Sequence, residues 1–184
     1  MSGRPAARLL YRRAMAAWEA GDLDAAFRTC RAVLDHAPRH AGALHMLGAI
    51  ALRAGRPDTA AAFADHLLAY APDDPDALVL KARAERAGGR PDAARALLDR
   101  AVEAAPGHAG AWQALGLARR RLGDPAGAVA ALERAVAAAP DDADALVNLA
   151  AARRDRGAHE GAARAAEAAM DRAPGNVEAC VNAA

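Results

Sequence analysis

The sequence predicts an all-α protein in which short antiparallel helix pairs stack one on the next as a solenoid. The main observation is a repeat, because three kinds of residue recur every 34 positions in one shared register. The recurring residues are the prolines Pro38, Pro72, Pro106, Pro140 and Pro174, the glycines Gly21, Gly55, Gly89, Gly123 and Gly157, and the alanines Ala43, Ala77, Ala111, Ala145 and Ala179. The second observation is that about a third of the chain is alanine, the strongest helix former.

Each repeat divides into two helices because its turn-forming residues come at fixed places. The recurring glycine ends a first helix such as 41–54, since a left-handed residue at the C-cap costs glycine nothing. A proline and an acid then open the second helix, as in Pro57-Asp58 and Pro91-Asp92. The second helix is expected to run to the residue before the recurring proline. Linkers such as 72–75 and 140–142 then start the next helix with N-cap carboxylates.

Composition and charge narrow the class of protein. Apolar residues make up 54% of the chain but aromatic residues only 3%, so we expect a thin layer of close-packed helices. No run of β-branched residues alternates with period two, so no strand is expected.

The net charge of +1 argues against a general nucleic-acid binder. No apolar run is long enough to span a membrane. Cys30 and Cys180 make neither a metal-ligand pair nor a disulfide framework, so a cytoplasmic location is expected.

The residues between these markers also repeat. The second and fourth repeats carry Leu44, Leu47-Gly48, Ala60, Leu67 and Pro72, and Trp112, Leu115-Gly116, Ala128, Ala135 and Pro140. This pattern resembles the tetratricopeptide repeat (TPR) family over nearly the whole chain. The resemblance implies a right-handed α-α superhelix and a single domain, 1–184. Its repeats are expected at about 7–40, 41–74, 75–108, 109–142 and 143–176, with a partial repeat at 177–184.

Two aromatic positions of the family pattern are not aromatic here. Late in the first helix the chain has Ala51, Glu85, Arg119 and Arg153, and in the second helix it has Cys30, Ala64, Leu98, Leu132 and Ala166. Looser packing within each repeat is therefore expected, with the period unchanged. The strict repeat of 34 residues also argues against the slightly longer pentatricopeptide RNA-binding repeats.

After Pro174 a first helix begins without the second helix that would complete the repeat. Repeat arrays usually end in a polar capping element, and 177–184 does not have that character. The favoured interpretation is that the chain is cut from a longer protein. The alternative is that the exposed terminal repeat pairs with a second copy and makes a homodimer.

The family resemblance implies that the first helix of each repeat lines a concave surface that binds a peptide. Arginines would form a stripe on that surface, namely Arg53, Arg83, Arg86, Arg120, Arg121 and Arg154. Such a stripe predicts capture of an acidic peptide, because guanidinium groups bind carboxylates through two hydrogen bonds. The alternative is a solvated helix face whose charge is neutralised by Asp76, Asp144 and Asp155.

Two further sets of residues share this expected concave surface. Tyr11, Met15, Trp18, His45 and Met46 are expected either to form an apolar pocket or simply to cover the first helix pair. Asn148 and Asn182 occupy one repeat position, which resembles the asparagine ladder that holds a peptide backbone in protein O-GlcNAc transferase. An asparagine amide matches such a backbone because it both donates and accepts a hydrogen bond.

No feature of the sequence indicates catalysis. Ser2 is the only serine, no glycine-rich phosphate loop occurs, and the histidines make no metal-ligand pattern with cysteines or carboxylates. We therefore expect a protein-interaction scaffold with no enzyme activity, cofactor or metal. The alternative implied by the resemblance is the substrate-recruiting N-terminal region of a larger bacterial enzyme, such as a glycosyltransferase or sulfotransferase. RNA binding by the arginine stripe is a third hypothesis and would require affinity that falls steeply with salt.

Overall fold

The computed structural model describes residues 3–174, with side chains from Pro5 onward, and this range contains ten helices and no strand. The helices are α1 (Gly3–Glu19), α2 (Leu23–His36), α3 (Ala41–Arg53), α4 (Pro57–Leu68), α5 (Pro75–Ala87), α6 (Pro91–Ala104), α7 (Ala109–Arg121), α8 (Pro125–Ala138), α9 (Ala143–Asp155) and α10 (His159–Arg172). The all-α class and the two helices of each repeat are thus confirmed. The partial repeat 177–184, with Asn182 and Cys180, lies outside the described residues.

The helix starts follow from the local sequence. Pro57 and Pro125 occupy the first turns of α4 and α8, where a missing N–H group costs nothing. Asp74 caps α5 by accepting a hydrogen bond from the Ala77 N–H at 2.9 Å, as the sequence predicts. Carboxylates at the starts of α2, α8 and α9 act in the same way, namely Asp22, Asp124 and Asp142.

Helices α3 and α7 are capped by histidine, a role that was not predicted from the sequence. The Nδ1 atoms of His40 and His108 accept hydrogen bonds from the N–H groups of Ala43 and Ala111, at 3.2 and 3.0 Å. The same geometry makes aspartate a good N-cap, because an acceptor placed here satisfies one of the unpaired N–H groups of the first turn. These two histidines are therefore explained by helix capping rather than by metal binding.

The recurring glycines end the first helices with left-handed backbone. Their φ angles lie between 67° at Gly55 and 80° at Gly157, and no other glycine in the described part of the chain has a positive φ. The backbone of a residue with a side chain would be strained at these φ values. This explains why glycine recurs every 34 residues. The second helices stop slightly earlier than expected. Most end two residues before the recurring proline, and α4 ends at Leu68, four residues before Pro72, in a turn.

Helix contacts divide the chain into two compact units, Met1–Ala94 (unit 1) and Arg95–Ala184 (unit 2). In unit 1 each of the helices α1 to α5 packs against the next, and α3 also contacts α5. In unit 2 the same holds from α7 to α10, with α7 also contacting α9. Because the helices within a pair are joined by tight turns, neighbouring helices run antiparallel. The single-domain organisation of 1–184 stays a prediction.

Close helix contacts within each unit depend on small residues. A Cβ atom at Gly48 would lie 2.5 Å from a Leu80 methyl group, and one at Gly116 would lie 2.5 Å from Cγ of Leu132. Both leucines are buried, and burial of one such side chain stabilises the fold by about 1.5–3 kcal/mol. The Leu-Gly pairs of the sequence are therefore sites where a leucine on a neighbouring helix occupies the space that a side chain would need.

Candidate functional site

Helices α1, α3 and α5 of unit 1 line an open cavity of about 490 Å³, called here the apolar pocket. It brings together the predicted residues Tyr11, Met15, Trp18, His45 and Met46. Charged residues also line this cavity. Asp74 and Asp76 lie at the start of α5, and Arg83 lies in the second half of that helix. A cavity of this size with apolar walls and a few polar groups has the character of a ligand site.

Tyr11 is held in place by residues at the start of α3. Gly42 has no side chain, and a Cβ atom there would collide with the Tyr11 hydroxyl group. The Tyr11 ring also contacts the capping residue His40, with ring centroids 4.5 Å apart. Burial raises the pKa of Tyr11, so its hydroxyl group stays protonated and keeps its capacity to donate a hydrogen bond.

Met46 forms the floor of the apolar pocket rather than an exposed contact. Only 7% of the residue is exposed, and its sulfur lies 3.3 Å from Sγ of Cys30. Cys30 is fully buried, and this burial raises its pKa to about 11. Met15, by contrast, is 37% exposed and lies at the opening of the pocket. The thiol is therefore a core group and not a reactive one.

A second cavity of about 320 Å³, called here the arginine pocket, contains three predicted arginines of unit 1. They are Arg53, Arg83 and Arg86, and they surround Trp18 together with Ala49, Leu52 and Ala87. The guanidinium group of Arg53 lies over the Trp18 ring, 5.4 Å from its centroid, which is a cation–π contact. Trp18 and Arg83 line both pockets, so the apolar and basic surfaces adjoin each other.

The predicted residues of unit 2 are arranged differently. Arg120 of α7 forms an ion pair with Asp155 of α9, so its charge is neutralised by an aspartate, as the alternative interpretation of the stripe expects. Arg121 and Arg154 are exposed, and Asn148 is half-buried. The cavity of unit 2 around Glu133 and Arg153 is lined by none of these residues.

A set of arginine contacts on the other side of the helices was not predicted from the sequence. Arg119 and Arg153, which stand where the family pattern has an aromatic residue, reach the preceding second helix. Arg119 pairs with Asp99 at 3.1 Å, and Arg153 pairs with Glu133 at 2.9 Å. Arg153 also donates a hydrogen bond to the carbonyl oxygen of Gly161, at 3.0 Å. The signal was present in the sequence as an acid followed 20 residues later by arginine, repeated after 34 residues.

The described residues give no sign of other chemistry. Within residues 3–174 no three histidine, cysteine, aspartate or glutamate residues converge on one point as metal ligands would. None of the described helices combines the length and the apolar character needed to cross a membrane. The described part of the chain has no buried side-chain nitrogen or oxygen atom without a hydrogen bond. Nothing in this range therefore indicates a hidden polar site.

Comparison with known proteins connects this geometry to one repeat family. Two tetratricopeptide repeat family models match the chain, one at residues 17–84 and 51–119 and the other at residues 114–177. A search of proteins with curated functions gave no match.

Several solved structures share the fold. A thermophilic TPR protein of Thermus thermophilus superimposes with a TM-score of 0.84 at 23% identity, with 96% of each chain covered. PilF of Pseudomonas aeruginosa gives 0.81 at 16% identity, covering 99% of this chain and 83% of its own. YrrB, described as a TPR protein with an unusual peptide-binding site, gives 0.64 at 18% identity, covering 98% and 97%.

Proposed function

Because the chain belongs to the tetratricopeptide repeat family, we propose that it is a non-enzymatic scaffold that binds a peptide segment of a partner protein. The binding site is the apolar pocket together with the arginine pocket of unit 1. The observation that carries this proposal is that Trp18 and Arg83 line both pockets, which joins an apolar cavity to a basic one.

The chemistry of the two pockets defines the peptide. A bulky apolar side chain fits between Tyr11, Met15 and Trp18, because apolar surface there is accessible and the floor is already packed. An acidic residue next to it lies within reach of Arg53 and Arg83, whose guanidinium groups bind carboxylates in pairs of hydrogen bonds. Arg53 is already oriented by its contact with Trp18, so less side-chain entropy is lost on binding.

The similarity to YrrB supports a peptide as the ligand, since that protein is described as having a peptide-binding site on the same fold. The exposed residues Arg121 and Arg154 and the half-buried Asn148 of unit 2 are proposed as additional contacts to a longer peptide. Asn182 belongs to the same proposal and lies outside the described residues. The cytoplasmic location, the longer parent protein and the homodimer through the terminal repeat stay predictions.

Selection from a random peptide library displayed on phage tests the proposal. Peptides enriched on the wild-type protein are expected to combine one bulky apolar residue with adjacent aspartate or glutamate. One enriched peptide is then synthesised with a fluorescent label, and its affinity is measured by anisotropy. Changing both Arg53→Gln and Arg83→Gln is expected to weaken binding about tenfold or more, and added salt is expected to weaken wild-type binding.

Arg28→Gln is the matched control, because Arg28 is an exposed arginine of α2 that lines neither pocket. It is expected to leave the affinity unchanged. If Arg28→Gln weakened peptide binding as much as the double variant does, Arg53 and Arg83 would have no specific role. Enriched peptides without acidic residues would refute the basic half of the site, and a library that yields no binder would refute the peptide site itself.

A further inference from the structure

Unit 1 has a larger cavity on a different face, between the second helices α2 and α4, with α3 as its floor. This cavity, called here the outer groove, has a volume of about 690 Å³. Its apolar lining includes Phe27, Leu34, Leu47, Ile50 and Phe63. None of its lining residues belongs to the apolar pocket or the arginine pocket, so the outer groove is separate from the proposed peptide site.

The phenylalanines make this groove unusual for the chain. The whole sequence has only two phenylalanines, and both of them line the outer groove. Phe27 is 38% exposed, whereas Leu47 and Ile50 on the floor are buried at 1% and 8% exposure. The walls of the groove therefore present aromatic surface to solvent above a floor that is already packed, which is the character of an interaction surface.

The equivalent face of unit 2 shows why the outer groove is apolar. Three repeats later, Arg153 occupies the position of Ala51 and crosses the face to reach Glu133 and the carbonyl group of Gly161. In unit 1 the alanine leaves that path empty. The residue equivalent to Glu133 is Arg31, so the internal ion pair has no counterpart.

The rim of the outer groove carries charges of both signs. Arg31 and Arg56 supply two positive charges, and Asp24 and Asp35 supply two negative charges. Among the described residues, none of these four forms an ion pair. A partner with charges of only one sign would be attracted by two of these residues and repelled by the other two. A partner that suits this rim carries both signs around an apolar centre.

We propose that the outer groove is the contact surface between two copies of this chain in a symmetric dimer. In a two-fold interface the same patch lies on both sides, so the patch must be complementary to itself. The outer groove has the two features that such an interface needs, namely an apolar centre and rim charges of both signs. Phe27 of each copy packs into the groove of the other, and Arg31 and Arg56 face the partner's Asp24 and the partner's Asp35.

Sedimentation equilibrium of the 184-residue chain over a range of concentrations tests this proposal. A concentration-dependent dimer is expected. Phe27→Asp places a charge in the apolar centre and is expected to weaken the dimer about tenfold or more. Leu9→Asp is the matched control, because Leu9 is 56% exposed and lies outside the outer groove. This control is expected to dimerise as the wild type does, and circular dichroism checks that both variants keep their helix content.

A charge exchange tests the symmetric arrangement without changing the apolar centre. One variant carries Arg31→Glu and Arg56→Glu, and the other carries Asp24→Lys and Asp35→Lys. Each variant alone is expected to dimerise about tenfold more weakly, because like charges then face each other. An equimolar mixture is expected to form a heterodimer with affinity within about threefold of the wild type.

Three results would overturn the proposal. A chain that stays monomeric at high concentration has no such interface. A dimer that resists Phe27→Asp is held elsewhere, for example through the terminal repeat. A mixture of the two charge variants that associates no better than either variant alone excludes the two-fold pairing of the rim charges.

Discussion

The outer faces of the two units are built from equivalent helices and have opposite characters. Helices α2, α3 and α4 of unit 1 correspond to α8, α9 and α10 of unit 2, three repeats later. In unit 1 the face is an apolar groove of about 690 Å³ with two phenylalanines on its walls. In unit 2 it is a depression of about 560 Å³ whose lining includes Glu133, Arg153, Glu160 and Arg164.

At the position where the family pattern has an aromatic residue, unit 2 has Arg153 and unit 1 has Ala51. The methylene groups of Arg153 pass close to Gly161, where an added Cβ atom would lie 3.3 Å from Cδ of the arginine. The head of the side chain then reaches Glu133, so the apolar stem covers helix surface while the charge stays paired. Unit 1 has Thr59 in place of Gly161, which fits the absence of such an arginine there.

The interior of the two units differs at one equivalent pair as well. In unit 1 the sulfur atoms of Cys30 and Met46 touch at 3.3 Å in the core. The equivalent residues of unit 2 are Leu132, which is buried, and Asn148, which is half-buried. Unit 1 therefore has a buried titratable group at a position where unit 2 has a leucine.

The largest expected effect concerns this buried thiol. Its pKa is raised from 9.0 to about 11 by burial, so in the Cys180→Ser variant iodoacetamide should alkylate native Cys30 slowly. At pH 8 the rate is expected to be about a hundredfold lower than in the urea-unfolded chain, because two pKa units reduce the thiolate fraction by that factor. The measurement is mass spectrometry of timed samples, with the unfolded chain as the control.

The same shift has a consequence for stability against pH. The folded state holds the Cys30 proton more tightly than the unfolded state does. Its contribution to stability is therefore fully present below pH 9 and is lost as the pH rises through about 11. In the alkylation experiment, equal rates for the native and the unfolded chain would show that the Cys30 thiol is accessible to iodoacetamide. The contrast between the interiors of the two units would then not hold.

An intermediate effect is expected from removing the arginine of unit 2. Arg153→Ala deletes the ion pair with Glu133 and the hydrogen bond to Gly161, and it exposes helix surface that the stem covered. The free energy of unfolding of unit 2 is expected to fall by about 1 kcal/mol, measured by urea denaturation and by hydrogen exchange in α9 and α10. Arg154→Ala is the control at the next, exposed position and should change little. Similar losses for both variants would contradict the role given to Arg153.

The smallest effect is expected from transferring the arginine contact into unit 1. In a Thr59→Gly background, Arg31→Glu and Ala51→Arg recreate the residues of unit 2. A double-mutant cycle is expected to give a favourable coupling of about 0.5 kcal/mol, because the pair is partly exposed. The same protein should lose the dimer, since it lacks the rim residue Arg31 and the transferred arginine would cross the outer groove. No coupling would indicate that the two faces differ in backbone geometry and not only in side chains.

Much of the fold was predictable because each marker acts locally. The recurring glycines have positive φ angles, prolines open second helices, and Asp74 and Asp142 cap the helices that they precede. The capping role of His40 was not predicted, since histidine is an uncommon N-cap and its ring had to be placed before its Nδ1 atom could be assigned. The pairing of Arg153 with Glu133 was missed because the two residues lie on different helices.

The candidate site was predictable only as a set of positions. Family register put Tyr11, Trp18 and His45 on one surface, and the structure brings them together in one cavity. Register did not reveal that Met46 is nearly buried against Cys30, or that Arg120 is already paired with Asp155. Those facts depend on which side chains meet across helices.

The sequence by itself determined the period, the helix boundaries to within a few residues, and the family, because caps, turns and helix propensity act over neighbouring residues. Only the tertiary structure decided which faces stay open. A side chain such as Arg153 closes a surface by reaching an acid on another helix, and its replacement by Ala51 leaves the outer groove apolar. These contacts join residues about 20 positions apart through the packing of helices, which no local pattern specifies.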